Sequence, residues 1–478
     1  MSRSSSNIAT ACGRRRLLGC ASLLGLGIGG GTASRPARAQ AAAADESVVQ
    51  ALLDARLAQQ GVGLAAARLV DGRIEAAFAG RRAANQAQAM GPTHRFEIGS
   101  ISKTFVALLL ARRAQARALA LDDPVEAALP RGLRLRDAAG APLRWVDLAT
   151  HRSGLPRLPA NLQARRPSDP YADYDEQALH AFLEAWRPEH ARDARFEYSN
   201  LGFGLLGHAL ALQAGMPFDA LLQREVLAPL GLSAITLARP GVGASDMAQG
   251  HNAQREPVPF WHFGVLAGAG ALRANLGEML HYAQAAIGAV DTPLRAAFDL
   301  ALAPRADGPG RGTRIGLAWF STELGGRVLT HHDGGTFGFA SSLCIDRAAR
   351  RGGLVLANTM LPVDDLARHL ADPDAPLRDL VAEARATQAA SITLPASLLT
   401  PLAGIYAISP QFKVTITADA ERLFGQATGQ DRFELFARSP RQFFARVTAL
   451  QISFEGESGP PPAFELQQGG QRLRFVRE

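Results

Sequence analysis

A serine and a lysine three residues apart are the first pair in this chain whose types can do chemistry together. Ser100 and Lys103 lie in RFEIGSISKTF, and lysine occurs otherwise only at position 413 although the chain has 51 basic residues. If a helix starts near Ser100, the i, i+3 spacing places both side chains on one face. A desolvated lysine near other cations can accept the serine proton, which an arginine cannot do. An ordinary helix start with a lysine reaching solvent gives the same pattern, so other residues must decide.

A tyrosine and an asparagine two residues apart supply a second candidate group. Tyr198 and Asn200 lie in RFEYSNLGFGLLGHAL, the only Y-x-N among the five tyrosines of the chain. A phenol can carry a proton when nearby cations stabilise its phenolate, and an amide can orient a carbonyl or a lysine. A partly buried tyrosine beside a helix cap is the alternative.

A histidine followed by glycines supplies the third group. His332 precedes Gly334 and Gly335 in RVLTHHDGGTFGFASSLCID, where a strand meets a Gly-rich edge that can approach a ligand. The N–H groups of Gly335 and Ser100 are candidates for an oxyanion hole. The rival H-x-G at His262 lies in a loop-like segment, so we prefer His332. A strand-end histidine without a ligand is the alternative.

Taken in order, S-x-x-K, Y-x-N and [K/H]-x-G resemble the serine β-lactamases of class C and the low-molecular-weight penicillin-binding proteins. The segments LDDPVEAALP and WVDLATHRSGLPRLP are also similar to that family, and the likeness covers about residues 46–385. The resemblance implies that Ser100 is acylated, Lys103 accepts its proton, Tyr198 moves protons and Asn200 orients the substrate or the lysine. It also implies substrates such as D-Ala-D-Ala peptides, related D-amino-acid amides, or β-lactams that mimic them.

Two departures from the class C pattern bear on the substrate. His332 stands where typical class C enzymes have lysine, and a neutral histidine donates a hydrogen bond without a firm positive charge. The segment GLPRLPAN offers Arg157, Leu158 and Asn161 where class C enzymes carry a glutamine. We therefore expect DD-carboxypeptidase or endopeptidase action on peptidoglycan-derived peptides first, β-lactam hydrolysis next, and ester hydrolysis third. A module that binds β-lactams or peptidoglycan without turnover is the alternative from another class.

The elements that must position these residues form an α+β fold. Strand-like runs on both sides of a helix-rich middle predict an antiparallel sheet completed by both ends of the region, plus a helical lobe. Asp71-Gly72 predicts a hairpin, and after Arg385 eight short runs predict a small antiparallel, lipocalin-like β-barrel with a turn at Gly469-Gly470. The expected organisation is an export signal, a β-lactamase-related domain, a linker and a barrel domain, at 1–39, 40–385, 386–397 and 398–478.

The charge of the chain is concentrated in its first 39 residues. They hold six arginines and no acidic residue, and without them the formal +7 becomes 45 basic against 44 acidic side chains, about +1. This excludes a basic nucleic-acid surface. GRRRLLG, an apolar glycine-rich run and PARAQ predict an export signal, with the twin-arginine route preferred over Sec. The run is too short for a stable membrane span, so the mature protein is expected to be periplasmic or secreted.

Cysteine and metal signals are sparse. Cys344 is the one cysteine after the leader, so no intramolecular disulfide is expected and a packed core position is predicted. Neither H-E-x-x-H nor a Cys/His cluster occurs, and we therefore predict no metal and no cofactor. The sequence leaves the oligomeric state open.

Overall fold

The computed structural model describes residues 37–478, apart from 167, 239–245, 253, 384–390, 410–411, 429–431, 446–449 and 469–470. Most of the predicted export signal and much of the predicted linker therefore lie outside the described residues. The α-helices are α1 (Ala37–Gln60), α2 (Ser102–Gln115), α3 (Trp145–Ala149), α4 (Glu176–Ala185), α5 (Asn200–Ala214), α6 (Phe218–Leu222), α7 (Leu276–Ile287), α8 (Arg295–Leu302), α9 (Asp364–Ala371) and α10 (Ala396–Leu399).

The first helix begins earlier than the sequence suggested. We expected it from about Glu46, whereas α1 runs from Ala37. The alanine-rich stretch QAAAADES explains the extension, because alanine has the highest helix propensity and none of these residues stops a helix. The helix therefore crosses the position of the predicted cleavage site.

An eight-stranded antiparallel sheet forms the frame of the molecule, in the order β2-β1-β11-β10-β9-β8-β7-β6. This confirms the predicted sheet with strands from both ends of the region. At the tip of the β1–β2 hairpin, Asp71 and Gly72 both have positive φ, as the predicted tight turn requires. The strands are β1 (Gly63–Val70), β2 (Arg73–Gly80), β6 (Ala306–Asp307), β7 (Thr313–Ile315), β8 (Phe320–Leu324), β9 (Arg327–Gly335), β10 (Ala340–Asp346) and β11 (Arg351–Ala357).

One strand-like run, RIGLAWFSTEL, is divided in the structure. It forms β7 and β8 with a buried turn between them, in which the Gly316 N–H donates to the Trp319 carbonyl at 2.8 Å. Ala318 has a φ of 66°, a left-handed conformation that interrupts an extended strand. The apolar side chains that suggested a continuous strand instead fill the core around the fully buried Trp319.

Helices cover both faces of this sheet. The helical lobe built around α2, α5, α7 and α8 packs a large apolar core against one face. The opposite face is covered by α1 and α9 through a smaller apolar cluster. A short three-stranded sheet inside the lobe joins β3 (Phe96–Glu97), β5 (Leu272–Ala274) and β4 (Thr236–Leu237). Consequently β3 leads directly from the lobe into the serine–lysine segment.

The C-terminal strands close into an eight-stranded antiparallel barrel, as predicted. Its interior is filled by aliphatic side chains and by packed aromatic rings, with Tyr406, Phe464 and Phe475 completely buried. The predicted Gly469-Gly470 turn lies outside the described residues. The strands are β12 (Gly404–Ser409), β13 (Phe412–Asp419), β14 (Arg422–Ala427), β15 (Phe433–Ser439), β16 (Gln442–Ala445), β17 (Leu450–Phe454), β18 (Ala463–Gln468) and β19 (Gln471–Arg477).

The cysteine that follows the predicted leader lies in the core, as predicted. Cys344 is buried in β10, and burial raises the pKa of its thiol to about 12, as fits a packing residue.

Within the described residues, no single helix has the length and apolar character needed to cross a membrane. Asn200–Ala214 and Phe218–Leu230 reach that threshold only as a pair bent by 82°.

Candidate active site

The serine and the lysine meet at the start of α2. Ser100 lies in a short 3-10 turn, Gly99–Ile101, that runs into α2, and Lys103 is in the first turn of the helix. The predicted i, i+3 geometry is present, with Lys103 Nζ 2.9 Å from Ser100 Oγ. Ser102 points elsewhere and accepts the Leu272 N–H at 3.1 Å, which is a structural role.

The Lys103 amine is completely buried and has three oxygen partners. Besides Ser100 Oγ, it contacts Asn200 Oδ1 at 2.8 Å and the Ala269 carbonyl at 2.7 Å. Amide oxygens only accept hydrogen bonds, so these two partners take two N–H groups of the amine. In a neutral amine this leaves the lone pair directed at the Ser100 hydroxyl.

Burial favours that neutral amine over the charged form. Desolvation is the largest cause that holds the pKa of Lys103 well below its usual range, and the nearby Arg157 guanidinium lowers it further. No carboxylate contributes in the opposite direction. An arginine in the same place would keep its proton, so the lysine is required by its ability to release one.

Tyr198 and Asn200 arrive together at the start of α5. Ser199 caps this helix, with its hydroxyl accepting the Gly202 N–H at 2.8 Å. Asn200 Nδ2 donates to the Tyr171 hydroxyl at 3.2 Å, which fixes the amide with Oδ1 toward Lys103. The structure thus brings Asn200 into direct contact with the lysine.

Tyr198 lies against both members of the pair. Its ring is 5.0 Å from Lys103 Nζ, and its phenol lies close enough to Ser100 for the serine to affect its pKa. Burial raises the pKa of Tyr198 to about 12, although Ser100 and the Arg157 charge act in the opposite direction. The resting phenol therefore keeps its proton, and the neutral lysine is the better base of the two.

His332 lies near the end of β9 and is almost completely buried. Nδ1 is 2.7 Å from the Asp333 carbonyl and must carry the proton, because a carbonyl only accepts. Nε2 is buried without a hydrogen-bond partner. Burial and the Lys103 charge lower the pKa of His332 to about 3, so the third motif presents a neutral imidazole.

The two glycines after His332 allow β9 to approach the serine turn. A Cβ at Gly334 would lie 2.1 Å from the Ile98 carbonyl oxygen, and one at Gly99 would lie 2.5 Å from the Gly335 nitrogen. Gly335 is thus directly against the residue that precedes Ser100. This contact places the Gly335 backbone beside the turn that holds Ser100, and its part in an oxyanion hole stays a prediction.

Two ring residues of the site were not singled out from the sequence. His151 is completely buried, accepts the Ser199 N–H on Nδ1 at 3.0 Å, and stacks on Tyr198 with ring centroids 4.3 Å apart. Tyr171 supports Asn200 and stacks on Phe263. WVDLATHRSGLPRLP contains His151, but only the folded contacts reveal its role, and Tyr171 comes from an irregular segment without a sequence signal.

Three further residues that the sequence offered as site candidates, His262, Asn161 and Arg157, lie in different environments. The rival His262 is engaged by Asp169, with Nδ1 2.7 Å from the carboxylate. Asn161 donates to the Ala178 carbonyl and accepts from the Tyr174 hydroxyl, which is a structural use of the amide. Arg157 is solvent-exposed, yet its guanidinium lies 5.1 Å from the Tyr198 ring, at the edge of the catalytic group.

Comparisons with known proteins agree with this geometry. The chain is 29% identical to a β-lactamase of Pseudomonas fluorescens over 238 residues, which cover 50% of this chain and 63% of that protein. It is 27% identical to the D-alanyl-D-alanine-carboxypeptidase/endopeptidase AmpH of Escherichia coli over 187 residues, 39% of this chain and 47% of AmpH. The chain thus spans about half to two thirds of the length of these relatives.

A solved structure gives the same result. A class C β-lactamase from Rhodobacter sphaeroides superposes with a TM-score of 0.58 at 26% identity, covering 70% of this chain and 98% of that one. A beta-lactamase family model matches residues 49–376, which is well over half of the sequence and includes every predicted site residue. The chain belongs to the beta-lactamase family.

Proposed function

We propose that the protein is a serine hydrolase that forms an acyl-enzyme on Ser100 and acts on D-Ala-D-Ala-type peptides or related D-amino-acid amides. The observation that carries this proposal is the Lys103 amine, whose two acceptor-only partners direct its lone pair at the Ser100 hydroxyl. The relationship to AmpH, a D-alanyl-D-alanine-carboxypeptidase/endopeptidase, supports the substrate class.

Acylation then proceeds in balanced steps. Ser100 Oγ bonds to the substrate carbonyl carbon while its proton passes to Lys103 Nζ, and the Ser100 and Gly335 N–H groups stabilise the oxyanion. One such donor contributes about 3–4 kcal/mol to the barrier reduction. When the C–N bond breaks, the leaving amine takes a proton from the Tyr198 phenol, which is refilled from Lys103. A water molecule later hydrolyses the ester by the reverse route.

The neutral third motif bears on the choice of substrate. With the pKa of His332 at about 3 and its one N–H donated to the Asp333 carbonyl, this position offers no positive charge to a substrate carboxylate. Internal peptide bonds and amides are therefore accommodated as well as free carboxyl termini. Arg157, exposed beside Tyr198, is the cation best situated to meet a terminal carboxylate.

The β-lactam reaction is the second candidate function. It is favoured by the likeness to β-lactamases of Pseudomonas fluorescens and Rhodobacter sphaeroides. The same nucleophile and base open a lactam ring, and the outcome depends on how fast water removes the acyl group. A β-lactam burst followed by a flat trace would instead identify a module that binds without turnover.

Two measurements on the purified protein test the proposal. Intact-protein mass spectrometry after incubation with a labelled penicillin should show one adduct on the peptide that contains Ser100. Release of D-alanine from a diacetyl-L-Lys-D-Ala-D-Ala peptide should be saturable, and both signals should be absent in Ser100→Ala. The absence of any adduct together with no turnover of peptide, amide or β-lactam would overturn it.

We also propose that the protein is exported to the periplasm or beyond. The support is the leader, which has six arginines and no acidic residue, and in which an arginine-rich segment precedes an apolar run that is followed by an A-x-A site. N-terminal sequencing of the protein recovered outside the cytoplasm should give a start after Ala39. Recovery of the intact leader from the cytoplasm alone would contradict export.

A further inference from the structure

Three metal-ligating side chains converge between α4 and α5, apart from the catalytic group. Glu176 and His180 are one turn apart on α4, and His208 faces them from α5. The two imidazole Nε2 atoms are 3.3 Å apart, and Glu176 Oε1 is 3.9 Å from His180 Nε2. All three potential ligand atoms lie within 4.8 Å of one another.

The histidine spacing matches what a tetrahedral ion requires. With Zn–N bonds of 2.0–2.1 Å, two ligands at a tetrahedral angle are separated by about 3.3 Å. The third ligand, Glu176, needs only a small movement to reach the same distance, and its side chain is 57% exposed and free to make it. A single N–H···N hydrogen bond between the two rings is the alternative, and it does not account for the position of Glu176 beside them.

The chemistry of the three donors selects the ion. Two imidazoles with one carboxylate suit Zn²⁺ and similar transition ions, whereas Ca²⁺ and Mg²⁺ prefer oxygen ligands throughout. Three protein ligands leave one coordination position for water.

We propose that Glu176, His180 and His208 form a binding site for one Zn²⁺-type ion that ties α4 to α5. The segment between these helices, residues 186–199, carries Tyr198, and Asn200 follows as the first residue of α5. The ion therefore links the two helices that flank the segment carrying Tyr198. The site was not predicted from the sequence, because His208 follows His180 by 28 residues, a spacing outside that of common zinc motifs.

Metal binding by the full chain tests the site directly. Untagged protein, stripped with a chelator, should bind one Zn²⁺ per chain in calorimetric titration, with a saturable rise in the thermal unfolding temperature. His180→Gln and His208→Gln should each lose the saturable binding, and Glu176→Gln should weaken it by roughly tenfold or more. His281→Gln serves as the matched control, because His281 is exposed on α7 and belongs to no cluster.

The variants are interpretable because folding is measured separately. Glutamine keeps polarity and approximate size at each position, and penicillin acylation of Ser100 in metal-free solution reports that the fold is intact. A variant that acylates normally but no longer binds Zn²⁺ supports the site. Zinc binding that survives in both histidine variants, or that disappears equally in His281→Gln, would overturn it.

Discussion

At the scale of single residues, solvent exclusion decides which group takes the serine proton in the proposed mechanism. Lys103 and Tyr198 both lie beside Ser100. Burial lowers the pKa of the lysine and raises the pKa of the tyrosine. It favours the uncharged amine, which is a base, and the uncharged phenol, which is an acid. The same desolvation thus assigns two complementary roles to neighbouring side chains.

Replacing Lys103 by arginine tests this assignment. We expect the Lys103→Arg variant to retain a positive charge but to lose acylation by roughly a thousandfold or more, because guanidinium does not release a proton. Stopped-flow measurement of penicillin acylation gives the rate, with Ser100→Ala as the blank. Acylation at a near-normal rate would show that Lys103 contributes only charge.

His332 makes the stability of the protein sensitive to acid. Its pKa is about 3 in the folded state against 6.5 unfolded, so the unfolded chain binds the extra proton between these values. The stabilising effect is complete above pH 6.5 and is lost as the pH falls toward 3, by about 3 kcal/mol at pH 4. We expect His332→Asn, which keeps a donor for the Asp333 carbonyl, to lose less stability between pH 7 and pH 4 than the parent. Urea unfolding at both pH values measures the difference, and equal losses in the two proteins would contradict it.

At the scale of elements, the approach of β9 to the serine turn depends on missing side chains. The Gly334 position has no room for a methyl group beside the Ile98 carbonyl, whereas a Cβ at Gly335 would meet its nearest atom, the Phe339 carbonyl oxygen, at 3.7 Å. Two adjacent glycines therefore differ in what they require. Gly334 allows the close packing, whereas Gly335 is the predicted oxyanion-hole donor.

This difference predicts unequal effects of two alanine substitutions. Gly334→Ala should lower the free energy of unfolding by about 1–3 kcal/mol or more and slow acylation, because β9 must move away from Ile98. Gly335→Ala should remain within about 1 kcal/mol of the parent, since its methyl group makes only ordinary contacts. Chemical denaturation measures both, and equal destabilisation would refute the packing argument.

The sequence predicted these elements well where a local pattern exists. The β1–β2 hairpin follows from Asp71-Gly72, and the eight barrel strands follow from short runs with turn residues between them. The contacts of His151 and Tyr171 were not predictable, because both rings enter the site from irregular segments whose positions depend on the whole fold. The division into β7 and β8 was also missed, since apolar residues of a buried turn resemble those of a strand.

At the scale of the whole molecule, the described residues contain separate apolar cores in the catalytic region and in the barrel. The barrel core combines aliphatic side chains with packed aromatic rings. Among the described residues, these side chains fill much of the barrel interior.

A substitution inside the barrel should separate its stability from catalysis. Phe464→Ala removes a completely buried ring and should destabilise the barrel by about 3–5 kcal/mol, while Ser100 acylation stays unchanged. Ile405→Ala, at a position 44% exposed on β12, is the control and should change stability by less than about 0.5 kcal/mol. Calorimetry combined with penicillin labelling measures both properties, and a parallel loss of acylation would contradict the separation.

The scarcity of lysine has a practical consequence. Of the two lysine side chains, Lys103 is sealed in the active site, and Lys413 lies on the barrel beside Glu478, with about a third of its side chain exposed. Amine-directed dyes, cross-linkers or solid supports will therefore attach through Lys413 and the chain terminus and will not block the nucleophile. Lys413 is therefore the side-chain amine open to such coupling, and attachment there leaves Lys103 and Ser100 unmodified.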